Sequence, residues 1–492
     1  MAGKTLDIRL AIDPARARLW HRALADALRR RGHRVAVVLR PGGPRPPVAI
    51  GLLLKLESLT GAKRAGASGC PWEDVRAAGD GLRADLEIDL TGGAWDGETT
   101  RRLAPVYDNA LIEEAAVAAL MAGRMPLIGV RDSKAPHTPA MMHPGLDAPH
   151  RIGRSLDNLG ARLVSLLAQA VDAVAIGRTT SGERALALTP SSIWAMGQTL
   201  GALRYALNRV LLALTRRAPH WHVGWRRAES GRVQDTLAMP AGGWRILPDD
   251  GKRFYADPFV FAHEGRTWLF VEELPYATGR AIISAVEIGP DGPVGAPVPV
   301  LEHRVHLSYP FVFARDGAIW MIPESAAAGT VELYRAESFP HRWVRHATLL
   351  DGIAVGDATI AEHDGRLWMF GTVGAAETSS WDALHIWSSD RLEGPWQPHA
   401  RNPVFQDALA ARPAGAFFRR DGALWRPAQD CAAYYGAGLA LCRVTQLDDA
   451  GFAQKIETVL TAGEPGWPGT GLHTLNWAAG IEVVDGSRDR RR

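Results

Sequence analysis

The chain has 492 residues, of which 47% are hydrophobic, and a formal net charge of +3 at pH 7. This length suffices for two or three domains, and the hydrophobic content is ordinary for a soluble protein. The basic residues are scattered along the chain, so a nucleic-acid partner is not indicated. No run of eighteen uncharged apolar residues occurs, and we therefore expect no membrane-spanning helix.

Three features of the ends and the cysteines suggest where the protein acts. Residues 1–5 lead into a charged strand without the apolar segment of a secretory signal, so we expect a cytoplasmic protein. Cys70, Cys431 and Cys442 lack metal-ligand spacing and are predicted to be reduced thiols in or near the core. We predict no metal site, and a disordered basic tail over 487–492.

The first 150 residues are predicted to form an open α/β domain. Strands are expected at 6–12, 35–39, 85–90 and 126–130, and helices at 14–31 and 111–121. Gly32 suits the end of the first helix. No glycine-rich dinucleotide or phosphate-binding pattern follows any of these strands, so no nucleotide site is predicted.

Residues 151–219 are predicted to form a helical connector. Apolar side chains recur at helical spacing over 156–176 and again over 193–214. A helix packed between domains is favoured over a helix lying on a membrane surface. Beyond Pro219 the pattern changes to strands, beginning at 221–225. We expect that strand to pair with the last blade of the fold described next and so to close its ring.

A repeat recurs about every 50 residues from residue 255 onward. Its four copies span 255–270, 309–322, 357–370 and 413–425. In each copy a glycine stands three residues before a tryptophan, as Gly265 does before Trp268 and Gly317 before Trp320. Asp-Gly or Glu-Gly between apolar runs is typical of a hairpin turn. Such a period is the signature of a β-propeller, and a weaker copy over 471–486 raises the count to five blades within 220–486.

Hairpin geometry predicts where the polar residues of the repeats meet. The start of the first strand and the end of the second lie at the same end of an antiparallel pair. If the first strands are innermost, as in propellers, these residues ring one mouth of the central channel. The set expected there is Asp257, Glu324, Asp357, Arg412, Arg426, Gln429 and His473. Either they line a solvent-open pocket, or they form a satisfied ion-pair network that plugs the channel.

The order of several motifs supports a family resemblance for residues 241–486. They are Ala-Asp-Pro-Phe at 256–259, Ile-Pro-Glu-Ser at 322–325, Asp-Ala-Thr-Ile at 357–360, Arg-Pro-Ala-Gly at 412–415 and Gly-Leu-His-Thr at 471–474. They resemble the propeller at the N-terminus of glucosamine inositolphosphorylceramide transferases. More distantly, the region is similar to the five-bladed furanosidase superfamily, which includes glycoside hydrolase family 43.

That resemblance implies roles for individual residues. Hydrolases of the superfamily use one Asp as base, a second Asp that tunes the pKa, and a Glu as acid, as the chemistry requires. Asp257 matches the base and Asp357 the second Asp, whereas the position of the acid has no match. Glu324 is our candidate for a third catalytic carboxylate, with Asp430 as the alternative. The predicted substrate-binding residues are Arg412, Arg426, Gln429, Asp430 and His473.

The first 150 residues resemble a degenerate formyltransferase-like domain, which bacterial proteins of that group join to such a propeller. His137, His143 and Asp147 lie in the region of that family's catalytic set, or are solvated surface residues. A folate cofactor is expected only if this domain is active.

We therefore expect a carbohydrate-active protein. Its propeller would bind, and hydrolyse or transfer, a glycan or sugar conjugate in the synthesis of envelope polysaccharide or glycolipid. The alternative is a glycan-recognition or scaffold propeller without catalysis. The four repeat tryptophans are expected in the blade cores rather than as sugar platforms.

Overall fold

The structure is a computed structural model of the chain. It describes residues 4–41, 51, 54–55, 57, 84–93, 100–108, 110–135, 141–149, 151–178, 219–374, 378–463, 467 and 469–488. Two compact units are present, one from Met1–Leu214 with 375–379 and one from Thr215–Gly374 and Ser380–Arg492. Within the described ranges, no helix is long and apolar enough to cross a membrane. The predicted helix at 193–214 lies outside those ranges.

The first unit contains a six-stranded sheet, as the α/β prediction requires. Its strands follow the order β2-β1-β3-β4-β5-β6. The first four strands run parallel, whereas β5 and β6 are antiparallel to their neighbours. The strands are β1 (Asp7–Ile12), β2 (Arg34–Leu39), β3 (Leu86–Asp89), β4 (Arg101–Tyr107), β5 (Ile128–Asp132) and β6 (Met141–Met142). The described part of this unit is thus an open sheet flanked by helices, and the formyltransferase-like domain stays a prediction.

Among the helices whose bounds the structure describes, three pack on this sheet, namely α1 (Leu19–Arg30), α2 (Glu114–Met121) and α3 (Ile152–Ala175). Leu159, Leu163 and Leu167 of α3 are fully buried in one core with the strands. The sequence analysis assigns this helix to a connector. Its apolar stripe instead completes the α/β core, because a stripe of that width must bury against the adjacent sheet.

The second unit is a five-bladed β-propeller. Blade 1 comprises β9 (Arg253–His263), β10 (Arg266–Pro275), β11 (Ile282–Gly289), β12 (Gly292–Pro293) and β13 (Val298–Leu301). Blade 2 comprises β14 (Ser308–Arg315), β15 (Ala318–Glu324), β16 (Thr330–Ser338) and β17 (Arg342–Asp351). Blade 3 comprises β18 (Val355–His363), β19 (Arg366–Val373), β20 (Ala383–Ser389), β21 (Gln397–Pro398) and β22 (Phe405–Gln406). Blade 4 comprises β23 (Phe418–Arg420), β24 (Ala423–Asp430), β25 (Gly438–Asp448) and β26 (Gly451–Thr461).

Blade 5 joins the two ends of the propeller. It consists of β27 (Leu475–Ala478), β28 (Ile481–Arg488), β7 (His220–Arg227) and β8 (Arg245–Ile246), with the short helix α4 (Val233–Thr236) between the last two. Strand β7 pairs with β28 over eight residues, from His220 opposite Arg488 to Arg227 opposite Ile481. The predicted ring closure is confirmed. Because β28 reaches Arg488, the predicted disordered tail does not begin at residue 487, and 489–492 lie outside the described ranges.

The repeated hairpins have the predicted geometry. Each turn places two residues at positive φ, for example Asp316 at 51° and Gly317 at 72°. The repeat tryptophans Trp268, Trp320, Trp368 and Trp425 are all buried, so their role as blade core is confirmed. Cys431 and Cys442 are free, buried thiols as predicted, whereas Cys70 lies outside the described residues. Strand β9 contacts β14 and β27, and β14 contacts β18, so the first strands surround the central channel.

Candidate functional site

The site begins with an unusual backbone conformation at one repeat position. Asp257, Tyr309 and Asp357 stand eight residues before the hairpin glycines of blades 1, 2 and 3. Their φ angles are 49°, 44° and 54°, in a region that residues with a side chain seldom occupy. A bulge interrupts the strand pairing beside each one. A β-bulge changes the direction in which a side chain points. A strained backbone conformation, such as positive φ at a residue with a side chain, persists only where surrounding contacts enforce it.

Carboxylates of the preceding blade hold these three residues in place. The N–H of Asp257 donates to Asp485 Oδ2 at 2.8 Å, and that of Tyr309 donates to Asp257 Oδ2 at 3.1 Å. The N–H of Asp357 donates to Glu324 Oε2 at 3.1 Å. One chain of hydrogen bonds thus runs from blade 5 through blades 1 and 2 to blade 3, which explains how the strained positions are kept.

Arg412 organises one half of the mouth, and we call Arg412, Asp357, Glu324 and Gln429 the arginine cluster. Its Nε and Nη2 donate to the two oxygens of Asp357 at 2.6 and 3.1 Å, and Nη2 also donates to Glu324 Oε2 at 3.1 Å. Gln429 Nε2 donates to Asp357 Oδ2 at 2.8 Å. The guanidinium lies over the Tyr435 ring at 5.4 Å. This bidentate geometry is the strongest form of arginine–carboxylate pairing.

The two carboxylates of the arginine cluster have pKa values shifted in opposite directions. Burial raises the pKa of Asp357, and the positive charge of Arg412 opposes that shift. Burial also acts to raise the pKa of Glu324, but Arg412 and hydrogen bonds with Asp357 outweigh it, so this pKa is lowered. Glu324 is therefore the carboxylate that carries the negative charge most firmly.

The other half of the mouth contains Asp257, His473, Asp485 and Thr474, which we call the histidine cluster. Thr474 Oγ1 donates to Asp257 Oδ1 at 3.0 Å, and His473 Nδ1 lies 2.7 Å from Asp485 Oδ2. Burial raises the pKa of Asp257 to about 7; Glu272 and Asp485 add to the shift and His473 opposes it. Burial acts to lower the pKa of His473, but Asp485 and Asp257 outweigh it and the pKa is raised.

Partly exposed and aromatic side chains border the two clusters. His306 Nε2 lies 3.1 Å from Glu272 Oε1, and the His306 side chain is 41% exposed. Its charge interacts with Glu324 and Asp257, so the two clusters share one electrostatic environment. The ring of Trp221 stacks on His473 with centroids 4.0 Å apart. Tyr435 packs edge-on against His473 and lies 5.3 Å from Trp381.

The oxygen and nitrogen atoms of Asp257, His473 and Asp485 lie close enough to hold a metal ion, since one ligand atom of each falls within 4.8 Å of the others. Asp485 already accepts the N–H groups of Asp257 and Thr474, and it meets the His473 ring. These contacts satisfy the group without an ion. The histidine cluster is therefore better described as a hydrogen-bonded unit.

Most of the predicted mouth residues meet as expected, but they are largely sealed from solvent. Asp257, Glu324, Asp357, Arg412, Gln429 and His473 all belong to the two clusters. Asp357 is 1% exposed and His473 2%, which favours the ion-pair network over an open pocket for these side chains. The Glu324 side chain keeps 17% of its surface exposed, so Glu324 and His306 are the members through which a ligand would reach the site.

The prediction that Arg426 joins the mouth is wrong. Arg426 Nη1 and Nη2 donate to the carbonyls of Ala410 and Ala411, and Nη1 also donates to Gln454 of β26. Alternate residues of a strand face opposite sides, so Arg426 and Gln429, three positions apart, cannot point the same way. Asp430 accepts the N–H of Ala432 at 2.9 Å in the turn after β24. Its predicted role in binding stays a prediction.

Several site residues were missed by the sequence analysis. Asp485 lies within the second strand of blade 5, where Leu475 opposite Val484 in the register brings it beside Thr474. It stands five residues after the hairpin Gly480, whereas Glu324 stands seven after Gly317, so the hairpin rule does not single it out. His306 lies in a loop before blade 2, where no repeat signal marks it. Of the N-terminal candidates, Asp147 pairs with Arg154 at 3.1 Å, and His137 lies outside the described residues.

Residues 248–481 match the family model described as Glucosamine inositolphosphorylceramide transferase 1, N-terminal. The chain is 33% identical over 251 residues to Glucosamine inositolphosphorylceramide transferase 1 of Arabidopsis thaliana, covering 48% of this chain and 32% of that protein. It is 31% identical over 249 residues to the protein of that name from Oryza sativa subsp. japonica, and the match covers 48% of this chain and 33% of that protein. The propeller region is thus similar to the N-terminal part of these transferases, and the match spans about a third of their length.

Solved structures with similarity to the chain include Zg3597, a family 117 glycoside hydrolase from Zobellia galactanivorans. It is 12% identical with a TM-score of 0.35, and the match covers 54% of this chain and 90% of that one. The GH43 protein BlXynB of Bacillus licheniformis, solved as a mutant, is 16% identical with a TM-score of 0.35. The match covers 52% of this chain and 58% of that one. Likeness this remote has no bearing on function.

Proposed function

We propose that the propeller is a carbohydrate-active module that binds a sugar or sugar conjugate at the channel mouth, in cytoplasmic synthesis of envelope polysaccharide or glycolipid. The observation that carries this is a pair of carboxylates at one mouth whose pKa values are shifted in opposite directions, of which Glu324 is partly exposed. Asp257, with a pKa of about 7, is able to give or take a proton near neutrality, while the lowered pKa of Glu324 keeps it ionised. Pairs separated in this way are typical of acid–base sites.

The rim offers the groups that recognise a sugar. Ionised Glu324 accepts hydrogen bonds from hydroxyls, and His306 beside Glu272 supplies a charged donor, because hydrogen bonding to Glu272 raises the pKa of His306. Trp381 and Tyr435 supply aromatic rings next to Arg412. A few polar groups that converge beside aromatic rings characterise ligand sites. The similarity of residues 248–481 to the N-terminal part of glycolipid-forming transferases supports the same ligand class.

Recognition without catalysis is the second candidate, and one observation favours it. Both oxygens of Asp357 are engaged by Arg412, and one also by Gln429. A carboxylate held in this way orients its neighbours rather than activating water. If the propeller only recognises its ligand, Asp357 and Arg412 maintain the structure of the site, and the ligand is bound without being chemically changed.

A glycan array probed with the whole protein tests binding, with Glu324→Gln as the site variant. We expect that variant to lose binding while remaining folded, because Glu324 is partly exposed. Glu287→Gln is the matched control: Glu287 is ion-paired to Arg266 on an outer strand of blade 1. No bound glycan, or equal binding by both variants, would contradict the proposal.

Turnover of the bound glycan separates the two candidates. Wild type and Asp257→Asn are incubated with each glycan that the array identifies, and products are followed by mass spectrometry. Turnover that Asp257→Asn abolishes supports catalysis. Binding without turnover in wild type supports recognition alone.

A further inference from the structure

A cavity of about 760 Å³ opens between blades 1 and 2 and belongs to neither cluster. One wall is the loop after β13, with His303 and Arg304. The other wall is formed by β16 and β17, where Thr330, Glu332 and Tyr334 face the cavity. Positions i, i+2 and i+4 of a strand share a face, which is why these three side chains line one wall.

The cavity lies on the propeller face that carries the mouth. His303 and Arg304 precede His306 in the same loop, and Thr330 follows Glu324 across a short turn. Asp351 stands opposite Thr330 in the strand register and completes the rim. A ligand seated at Glu324 and His306 would therefore extend toward this cavity rather than away from it.

Several polar groups in the cavity lack a partner that a ligand would supply. Thr330 Oγ1 is buried without a hydrogen-bond partner among the residues that the structure describes. Among the described residues, the Asp351 carboxylate accepts only the N–H of the following Gly352, and Arg304 is hydrogen-bonded through its carbonyl but not through its guanidinium. Buried polar atoms are normally paired, so an unpaired hydroxyl that faces a cavity points to a missing partner.

The charges in the cavity balance. Arg345 Nη1 donates to Glu332 Oε1 at 3.3 Å, and Tyr334 donates to Glu332 Oε2 at 2.7 Å, so these three groups satisfy each other. Arg304 and Asp351 remain as one donor and one acceptor of opposite charge. This combination matches the alternating donors and acceptors of vicinal hydroxyls rather than a strongly charged ligand. The volume of the cavity falls within the range of small-molecule sites.

We propose that this cavity is a second saccharide subsite, which takes a neutral, hydroxyl-rich ring bound through Arg304, Asp351 and Thr330. The proposal rests on the proposed function, because it lengthens the same binding surface. It identifies the ligand as one that has a neutral sugar beside the unit held at the mouth.

Saturation-transfer NMR with D-glucose, D-galactose, maltose and lactose tests the subsite on the whole protein. We expect Arg304→Gln and Asp351→Asn each to weaken binding of the disaccharides roughly tenfold, since each removes a charge-assisted hydrogen bond. Thr330→Val should weaken binding to a smaller degree. All three positions lie at or near the surface, so the variants should fold, and chemical denaturation verifies this.

The outcomes separate this inference from the proposed function. If Glu324→Gln weakens binding of these sugars but the cavity variants do not, the subsite is overturned while the mouth stands. Binding of none of the four sugars also overturns the subsite, and the glycan array then decides the mouth independently. If D-glucose 6-phosphate binds through Arg304 when D-glucose does not, the site takes an anion and the neutral class is wrong.

Discussion

Asp257 and Asp357 occupy the same position of the repeat, yet their surroundings differ. Both stand eight residues before a hairpin glycine at positive φ, and both are almost fully buried. Asp357 meets a bidentate arginine, whereas Asp257 meets a histidine, a threonine and two further carboxylates. A repeat therefore fixes where a side chain is presented but not which groups it meets, which the neighbouring blades decide.

The largest effect is expected from removing the arginine of blade 4. Arg412→Leu should lower the free energy of unfolding by about 3 to 5 kcal/mol, because it leaves buried carboxylates without their cation. The loss should shrink at acidic pH as Glu324, whose lowered pKa keeps it ionised near neutrality, becomes protonated. Urea denaturation measures both quantities.

Arg342→Gln provides the matched control for that experiment. Arg342 pairs with Glu337 on the surface with 71% of its side chain exposed, so the change should cost about 0 to 1 kcal/mol. Equal losses for the two variants would show that the arginine cluster is not a buried unit.

The histidine cluster should make stability fall as the pH rises. The pKa of Asp257 moves from 3.8 to about 7 on folding, so the folded state binds more protons than the unfolded state between those values. Stability therefore declines from about pH 4 to about pH 7, and the raised pKa of His473 gives the same sign. At 1.36 kcal/mol per pKa unit, Asp257→Asn should remove up to about 4 kcal/mol of this decline.

Denaturation midpoints measured across that pH range test this expectation. Asp316→Asn is the control, because Asp316 is an exposed turn residue followed by Gly317, where Asn-Gly suits the same turn. A pH profile unchanged by Asp257→Asn would mean that Asp257 titrates normally.

Tyr309, the blade 2 residue at this repeat position, makes a neutral link instead of a charged one. Its hydroxyl accepts the N–H of Gly415 at 2.7 Å and lies 2.9 Å from Thr359 Oγ1. Tyr309→Phe leaves a buried N–H without a partner and should cost about 1 to 3 kcal/mol in thermal or urea unfolding. Tyr276→Phe, at a more exposed tyrosine, should cost about 0.5 kcal/mol or less; comparable losses would argue against the link.

The smallest effect concerns the hairpin turns, where blade 5 departs from the other four. Ala479 holds φ 47° at the position that Glu264, Asp316, Asp364 and Asp421 hold elsewhere. Asn tolerates this conformation better than Ala, so Ala479→Asn should raise the free energy of unfolding by about 0.5 to 1 kcal/mol. Ala262→Asn, at an exposed strand position, should lower the free energy of unfolding slightly. If Ala262→Asn raised that free energy and Ala479→Asn did not, tolerance of positive φ would not be the cause.

Most of the propeller was predictable because its signals are local. Asp-Gly turns, the glycine-to-tryptophan spacing and the alternation of the strands each depend on a few neighbouring residues. Hairpin geometry then placed Glu324 beside the first strand of blade 2 and Gln429 beside Arg412, as the registers and hydrogen bonds confirm. The α3 helix was assigned to a connector because its stripe of apolar side chains shows that one face is buried. The stripe does not show which element buries it.

The sequence alone determined the blades, the ring closure through β7 and the mouth at which the polar residues meet, because backbone pairing and turn chemistry are encoded over short stretches. Only the tertiary structure decided that Arg412 pairs with Asp357 while Arg426 turns into blade 4, and that Asp257 is left to His473. Those outcomes depend on which groups from distant blades share a buried, weakly screened environment. There, the order of residues along the chain does not specify the distances between charges.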